Sequence, residues 1–408
     1  MTLPKLLLVS DVVPGRGNVG REYLRAACRL LPADHIFVYD FDPGGREALA
    51  PELEGIDLRH ESSPDLTARQ ETSGWAWARH FDERRREQAM IPQLVERIAA
   101  YGREKGIDRV WVPLHSPTSI RIAQPVAEAL AKPLITTTWD PPNYKLAAFG
   151  VGRRMRRQLL KKFDATNRFA SACSAASEPM RDLYERLYGT PTVTMILGAP
   201  RPETLNRPDP DAPLRIGFAG SLYARQEFNA LRQALDRMNW MLDGRLIELH
   251  LYGDHEALAD QGRICVHGWA DPDSTVSAIS ACDIAYLPYW FAKNRREVVE
   301  VSFPGKLALY AAARTPVFYH GPSYGSPVRF LERFPMGKVC ATLDASTVAE
   351  RLASLLGDRA WLSSARDGCD RAYDEELSAD VFADRFAQLL GLPDGTLRPQ
   401  QREKAGTV

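Results

Sequence analysis

Lys306 stands on the first turn of an Ala/Leu-rich run within SFPGKLALYAAARTPVFYH, residues 302–320. Gly305 precedes it, and Arg314, Thr315 and Pro316 end the run before a strand at 317–319. The positive end of a helix macrodipole repels such a lysine, at a cost of about 0.3–1 kcal/mol when exposed. A bound anion reverses the sign, because the free N–H groups and the ammonium then act on one negative charge. The spacing leaves two readings open, an anion site and a solvated lysine. A second group stands in TTTWDPPNY, where Trp139, Asp140 and Asn143 surround two stiffening prolines. An aromatic face beside a carboxylate suits a sugar, by stacking on one side and hydroxyl hydrogen bonds on the other. The plainer alternative is an N-cap aspartate beside a core tryptophan. His115, with Ser116, ends the strand-like RVWVPLH and reads either as a ligand contact or as structural. Gly15, Gly17 and Gly20 form G-x-G-x-x-G, with Asp40 and Asp42 at the end of the next strand-like run. That is a nucleotide-binding pattern in outline, or a tight turn with no ligand.

These residues need elements to hold them, and strand-like runs alternate with amphipathic stretches throughout. KLLLVSD, HIFVYDFD, RVWVPLH and LITTTWD lie in the first half; RIGFAGS, IELHLYGD, RICVHGW and DIAYLPY lie in the second. The alternation predicts α/β layers with mainly parallel, doubly wound sheets. Between the halves, GAPRPETLNRPDPDAP breaks the rhythm with prolines and charges, as a linker does. The expected division is an N-terminal domain over 1–200, a linker over 201–213 and a C-terminal domain over 214–372. A helix over 373–392 follows, expected to cross the hinge, and then a polar tail over 393–408. In doubly wound folds, ligands sit at the carboxyl ends of strands, so the loops named above are the informative ones.

The chain has 408 residues, long for one domain. Its 52 Lys and Arg balance 52 Asp and Glu, so nothing global steers it toward nucleic acid. No apolar run approaches the roughly 20 residues of a membrane span, and Asp11 and Pro14 interrupt the N-terminal apolar stretch. The six cysteines show no C-x-x-C pair or metal-ligand spacing and are read as buried thiols of a cytosolic protein. VGRRMRRQLLKKFDATNR, 151–168, is strongly basic, with Met155, Leu159 and Leu160 opposite the charges. It reads as a solvated helix face or as a peripheral contact with the inner face of a membrane. RHFDERRREQ, 79–88, is mixed in sign and reads as a solvated helix.

The order of these loops resembles the retaining GT-B glycosyltransferases, closest to the large glycogen-synthase-like family 4. LRIGFAGSLYARQEFNALRQAL, 214–235, is similar to the family's strand, glycine loop and helix. VHGWADPDSTVSAISACDIAYLPY and SFPGKLALYAAARTPVFYHGP follow in the family's order, as GRGNVGREYL does in the first half. The resemblance implies two Rossmann-like domains facing each other across a cleft. A nucleoside diphosphate sugar, UDP or GDP type, would be held mainly by the C-terminal domain, and no further cofactor or metal is expected. Its diphosphate would lie near Gly220, Ser221, Arg225 and the helix that Lys306 opens; Gly17, Ser302 and Gly305 would also bind the donor, with His267 and Trp269 in the loop facing the nucleobase. Asp140, His115, Lys306 and Arg225 would carry catalysis. Trp139 and Asn143 would contact the sugar or a glycan, lipid-linked or small-molecule acceptor.

Departures from the family pattern are specific. Its E-x-x-x-x-x-x-x-E glutamates fall on Val301 and Leu309, with Glu297 or Glu300 near the first only. Ser221 stands for the usual arginine, Gln226 for the usual lysine and Trp139 for the usual histidine. Two alternatives therefore accompany glycosyl transfer: a sugar-nucleotide 2-epimerase on the same fold, and a non-catalytic binding or partner protein.

Overall fold

The structure, a computed structural model of the chain, describes residues 2–41, 48–61, 76–255, 258 and 263–398. The chain divides into two compact units. One takes the residues up to 195 and resumes at 383; the other takes 196–382.

The first unit is built on β1 (Leu6–Ser10), β2 (Ile36–Asp40), β3 (Asp57–His60), β4 (Arg109–Pro113), β5 (Leu134–Thr138), β6 (Ala172–Ala175) and β7 (Thr192–Thr194). They lie in the order β3-β2-β1-β4-β5-β6-β7, and every pairing is parallel. The second unit has β8 (Leu214–Ala219), β9 (Met241–Leu242), β10 (Arg245–Tyr252), β11 (Ile264–Val266), β12 (Ile284–Pro288), β13 (Val317–His320) and β14 (Gly337–Cys340). Here the order is β11-β10-β8-β12-β13-β14, with the short β9 antiparallel to β10. Continuous apolar runs such as LLLVS in β1 and IAYLP in β12 are buried on both faces, as helix-covered parallel strands must be.

Strand order reverses at β1 and at β8, and at both places the sheet opens. β1 pairs with β2 along five residues but with β4 only at Leu6, Leu7 and Leu8. β8 pairs with β10 along six residues but with β12 only at Ile216 and Gly217. These forks at the carboxyl ends are the switch points where such folds bind ligands. The layers around β8 are dense. Ile216 and Phe218 pack on one face with Phe228 and Leu231 of the helix Arg225–Arg237. Ala219 packs on the other with Leu307, Tyr310 and Ala311 of the helix Lys306–Ala312.

The proline-rich stretch read as a linker has no helix or strand, yet it is tied to the second unit. Arg201 donates to Ala311 O at 2.8 Å and lies 3.9 Å over the Tyr373 ring, and Asn206 N donates to Ser280 Oγ at 2.9 Å. The last helical region is a helix Arg359–Ala372, a π turn Tyr373–Leu377 and a helix Ala379–Leu389. Phe386 of the last helix packs on Trp111 of β4, 5.3 Å between ring centres. Residues 393–398, read as the start of a polar tail, pack instead: Leu397 is 1% exposed and Gly395 N donates to Asp384. Residues 399–408 lie outside the described residues. The basic stretch forms the helix Arg153–Phe169, whose Met155, Leu159 and Phe163 are buried. Its apolar face thus belongs to the core, while Arg153, Arg154, Arg157 and Lys161 are exposed. The 79–88 run lies on the helix Ala76–Lys105, with most of its side chains outside the described residues. Among the described residues, no helix is long and apolar enough to cross a membrane.

Gly217 lets the sheet of the second unit close on its helices, because a Cβ there would stand 2.8 Å from both Cys282 Sγ and Ile279 Cδ1. Gly217→Ala should destabilise the protein by about 1–3 kcal/mol. The midpoint of urea unfolding measures this, and an unchanged midpoint would mean the neighbours yield freely.

Candidate anion and sugar sites at the sheet forks

The fork beside β8 is filled by one side chain. Tyr310, one turn along the helix from Lys306, accepts from Ala219 N at 3.3 Å and donates to Tyr286 O at 2.9 Å. Its hydroxyl thus satisfies two buried backbone groups that the parted strands cannot give each other. Burial raises the Tyr310 phenol well above its ordinary pKa, so it stays protonated and keeps both bonds. Residues four apart share a helix face, so the bond that pins Tyr310 also directs Lys306 toward the end of β8.

Gly220 follows β8 with φ +83°, in the left-handed region, and a Cβ there would approach Lys306 Nζ to 3.2 Å. Both its backbone groups are fixed: N–H donates to Tyr252 O at 2.8 Å, and the carbonyl accepts from His255 Nε2 at 2.9 Å. Lys306 Nζ lies 5.2 Å from the Phe218 ring centre and 4.8 Å from that of Tyr223. Among the described residues, no carboxylate lies within ion-pair distance of it. Burial lowers its pKa to about 8. Aromatic faces offset part of the desolvation, but they supply no countercharge.

The loop around Lys306 is clamped. Trp290 Nε1 donates to Tyr223 O at 3.1 Å, and the two rings stack at 4.4 Å and 43°. Glu227, 1% exposed on the first turn of its helix, accepts from Phe291 N at 2.7 Å. Ser221 and Arg225 are exposed on this loop. Gly305 is exposed and caps the Lys306 helix, with open space where a Cβ would project. Ser302 is buried, and its carbonyl accepts from the hydroxyls of Tyr289 and Ser326. Its backbone therefore works as a structural anchor. Near the family positions, half-buried Glu300 pairs with Arg296 at 2.7 Å, while Leu309 packs on the core.

His267 and Trp269 flank Gly268, which bonds to Gly253 at the end of β10. Trp269 is 68% exposed. His267 stacks on Tyr252, with centres 4.6 Å apart. Burial, then His250, lowers its pKa. Five cysteines are buried, as expected, but Cys265 on β11 is not.

In the first unit the β4 side of the fork carries aromatic groups. His115 meets Trp139 edge-on at 5.6 Å and Phe149 at 5.8 Å, and Tyr23 meets Trp139 at 5.5 Å. Gly20 makes room, since a Cβ there would stand 3.2 Å from the Trp139 ring. Trp139 Nε1 is a buried donor with no partner among the described residues. Burial, and secondarily Lys145, lowers the His115 pKa to about 3, so its imidazole is neutral near neutrality. A neutral imidazole can give one hydrogen bond and accept another, but it lacks the imidazolium proton that a general acid would donate. Asp140 lies 3.9 Å from Lys145 Nζ. The helix Pro142–Ala148 begins directly after Pro141. Asn143 is exposed on that helix. Ser116 is committed to capping the helix Pro117–Leu130 in a reciprocal box with Ser119. Gly17 takes φ +109°, while Asp40 is 1% exposed and bonds His60 Nδ1 at 2.5 Å. Asp42 lies outside the described residues.

His115, Trp139, Asp140 and Asn143 thus gather in the first unit, and Gly220, Ser221, Arg225, Gly305 and Lys306 in the second. Tyr310, Tyr223, Glu227, Trp290 and His255 went unread in the sequence. Only Tyr310 left a signal, its position four residues after Lys306.

No protein-family model matches the chain, and no curated protein matches its sequence. Its fold is similar to that of HepE from Anabaena solved with UDP, at 13% identity, TM-score 0.65, and coverage of 95% of this chain and 99% of that one. Sucrose-phosphate synthase from Thermosynechococcus elongatus is similar at 14% identity and TM-score 0.63, over 94% and 98% of the two chains. Trehalose 6-phosphate synthase from Burkholderia multivorans is similar at 11% and 0.62, over 96% and 98%. The chain has the GT-B fold that the order of its loops resembles.

Two substitutions probe the β8 fork. Tyr310→Phe leaves Ala219 N–H and Tyr286 C=O without their partner and should cost about 1–3 kcal/mol in urea unfolding. Lys306→Met should act oppositely. The folded-state lysine titrates at about 8, below the unfolded value, so the folded state carries a penalty that is complete below about 8 and fades as pH rises toward 10.5. Removing the charge should therefore stabilise the protein by about 1–3 kcal/mol near neutral pH and by progressively less above that window. Destabilisation at neutral pH would show that the charge is compensated in the free protein.

Proposed function

We propose that the protein is a glycosyltransferase that moves a sugar from a nucleoside diphosphate sugar to an acceptor hydroxyl, with retention of configuration and without a metal. The observation that carries this reading is the uncompensated Lys306 ammonium over Gly220, at the switch point of the second sheet. Cleaving a glycosyl–phosphate bond develops negative charge on the departing oxygen, and a fixed cation in a desolvated setting stabilises that charge most. A similar fold solved with UDP supports the choice of a nucleoside diphosphate.

In this reading Lys306 acts as a point charge on the diphosphate, and exposed Arg225 adds a planar donor fork. Gly220 gives the phosphates room, and Ser221 and Gly305 offer backbone N–H groups. His267 and exposed Trp269 serve the nucleobase end. Trp139 offers a ring and an indole N–H to a sugar, Asp140 and Asn143 accept and donate to hydroxyls, and His115 contributes as a neutral hydrogen-bonding group. With His115 neutral and no paired carboxylates assigned, the rate enhancement comes from positioning and leaving-group stabilisation.

The absence of a glutamate at Val301 and Leu309 favours one second reading, a protein that binds the nucleotide without turnover. Calorimetry with UDP, GDP and ADP, without metal, tests both. One nucleotide should bind, and Lys306→Ala should weaken it by about 10–100-fold, the usual range for losing a charge-assisted contact of 1.4–2.7 kcal/mol. Affinity in the wild type should fall as pH rises through about 8, where the free lysine loses its proton, and this dependence should vanish in the variant. No binding of any nucleotide removes the donor site; binding without transfer from the matching nucleotide sugars selects the second reading.

A further inference from the structure

The face of β10 turned away from Ile247, Leu249 and Leu251 carries Glu248 and His250, and β11 lies beside it with Cys265 directly paired to His250. Strand side chains alternate, so E-x-H on β10 and C-x-H on β11 bring Glu248, His250, Cys265 and His267 to one face of two neighbouring strands. One donor atom from each of Glu248, His250 and Cys265 lies within 4.8 Å of the others. His250 Nε2 is 3.0 Å from Glu248 Oε2, and His250 Nδ1 is 3.0 Å from His267 Nε2. Both imidazole nitrogens of His250 are thus placed, one toward the carboxylate and the other toward a second histidine. Arg215 Nε stands 3.9 Å from the same Glu248 oxygen.

We infer that Glu248, His250 and Cys265 form a site for a borderline divalent cation of the zinc class, with His267 orienting His250. The mixed oxygen, nitrogen and sulfur donors select Zn2+ and Co2+ over Mg2+ or Ca2+, which take oxygen ligands. On binding, Cys265 releases its thiol proton to solvent and binds as thiolate, so thiolate and carboxylate together balance the cation's charge. His250 binds through Nε2 and donates its Nδ1–H to His267 Nε2. That outer bond fixes the tautomer, as metal-bound histidines generally require. Water completes the tetrahedron. The cation ties the edge strand β11 to β10 through side chains, just before the Gly253–Gly268 bridge. The site lies on β10 and β11 apart from Lys306 and shares His267 with the nucleobase end of the proposed donor site, but cation binding does not depend on the transfer reaction.

Tag-free full-length protein, stripped by chelator, should be titrated with Co2+ and then Zn2+. One equivalent of Co2+ should bind with a near-ultraviolet thiolate-to-cobalt charge-transfer band, which Zn2+ displaces with a Kd at or below about 1 µM. The other five cysteines are buried, so the band reports Cys265. Cys265→Ser should abolish it with an unchanged circular dichroism spectrum, Glu248→Gln should weaken binding, and His267→Gln should cost about 10–100-fold in affinity while keeping the band. The inference is overturned by the absence of a charge-transfer band in the wild type, or by Co2+ binding that Cys265→Ser and Glu248→Gln leave unchanged.

Discussion

A half-buried lysine ammonium, with aromatic faces around it and no carboxylate beside it among the described residues, is the feature on which the second unit turns. Such a charge is costly to hold, and its geometry is correspondingly over-determined. Tyr310 fixes the helix from below by joining Ala219 to Tyr286. Gly220 gives way where any side chain would crowd Nζ, and Tyr252 and His255 hold its backbone. Trp290 and Glu227 secure the loop that brings Tyr223 over the ammonium. A site arranged in this way before its ligand arrives spends little on reorganisation when negative charge appears.

The two units use one architectural device for different chemistry. Each sheet reverses direction beside its first strand, and each opens there because crossovers leave on opposite sides. In the second unit the fork is closed by a helix that ends in positive charge. In the first, β4 leads toward a neutral imidazole and a tryptophan with a spare donor, while Asp140 and Lys145 balance each other nearby. The first arrangement suits uncharged hydroxyl-rich surface and the second suits phosphate, which matches the division of labour in the proposed reaction.

The basic helix Arg153–Phe169 divides its side chains by burial. Its Met155, Leu159 and Phe163 are committed to the core, while Arg153, Arg154, Arg157 and Lys161 face solvent and Phe169 at its end is 43% exposed. Most of the apolar stripe is thus spent on packing, as on a helix that covers a sheet.

Much of this protein was determined by its sequence directly, because local periodicity and end signals are written in consecutive residues. The alternation of strands and helices, the division into two α/β units and the stop after the Lys306 helix are all of that kind. So was the anomaly of Lys306 on a first turn, which needs only the helix dipole to be noticed. Tertiary structure alone decided what Lys306 faces, because its distance to Gly220 depends on strand register and on a fork filled by Tyr310. It decided that the Ser302 carbonyl and the Ser116 hydroxyl serve structure, and that Leu397 leaves the tail for the core. It also brought Glu248 and His250 against Cys265 and His267, two ordinary three-residue patterns 15 residues apart from His250 to Cys265. Pairing between strands is a long-range choice made by packing and hydrogen bonding, and no window along the chain contains it.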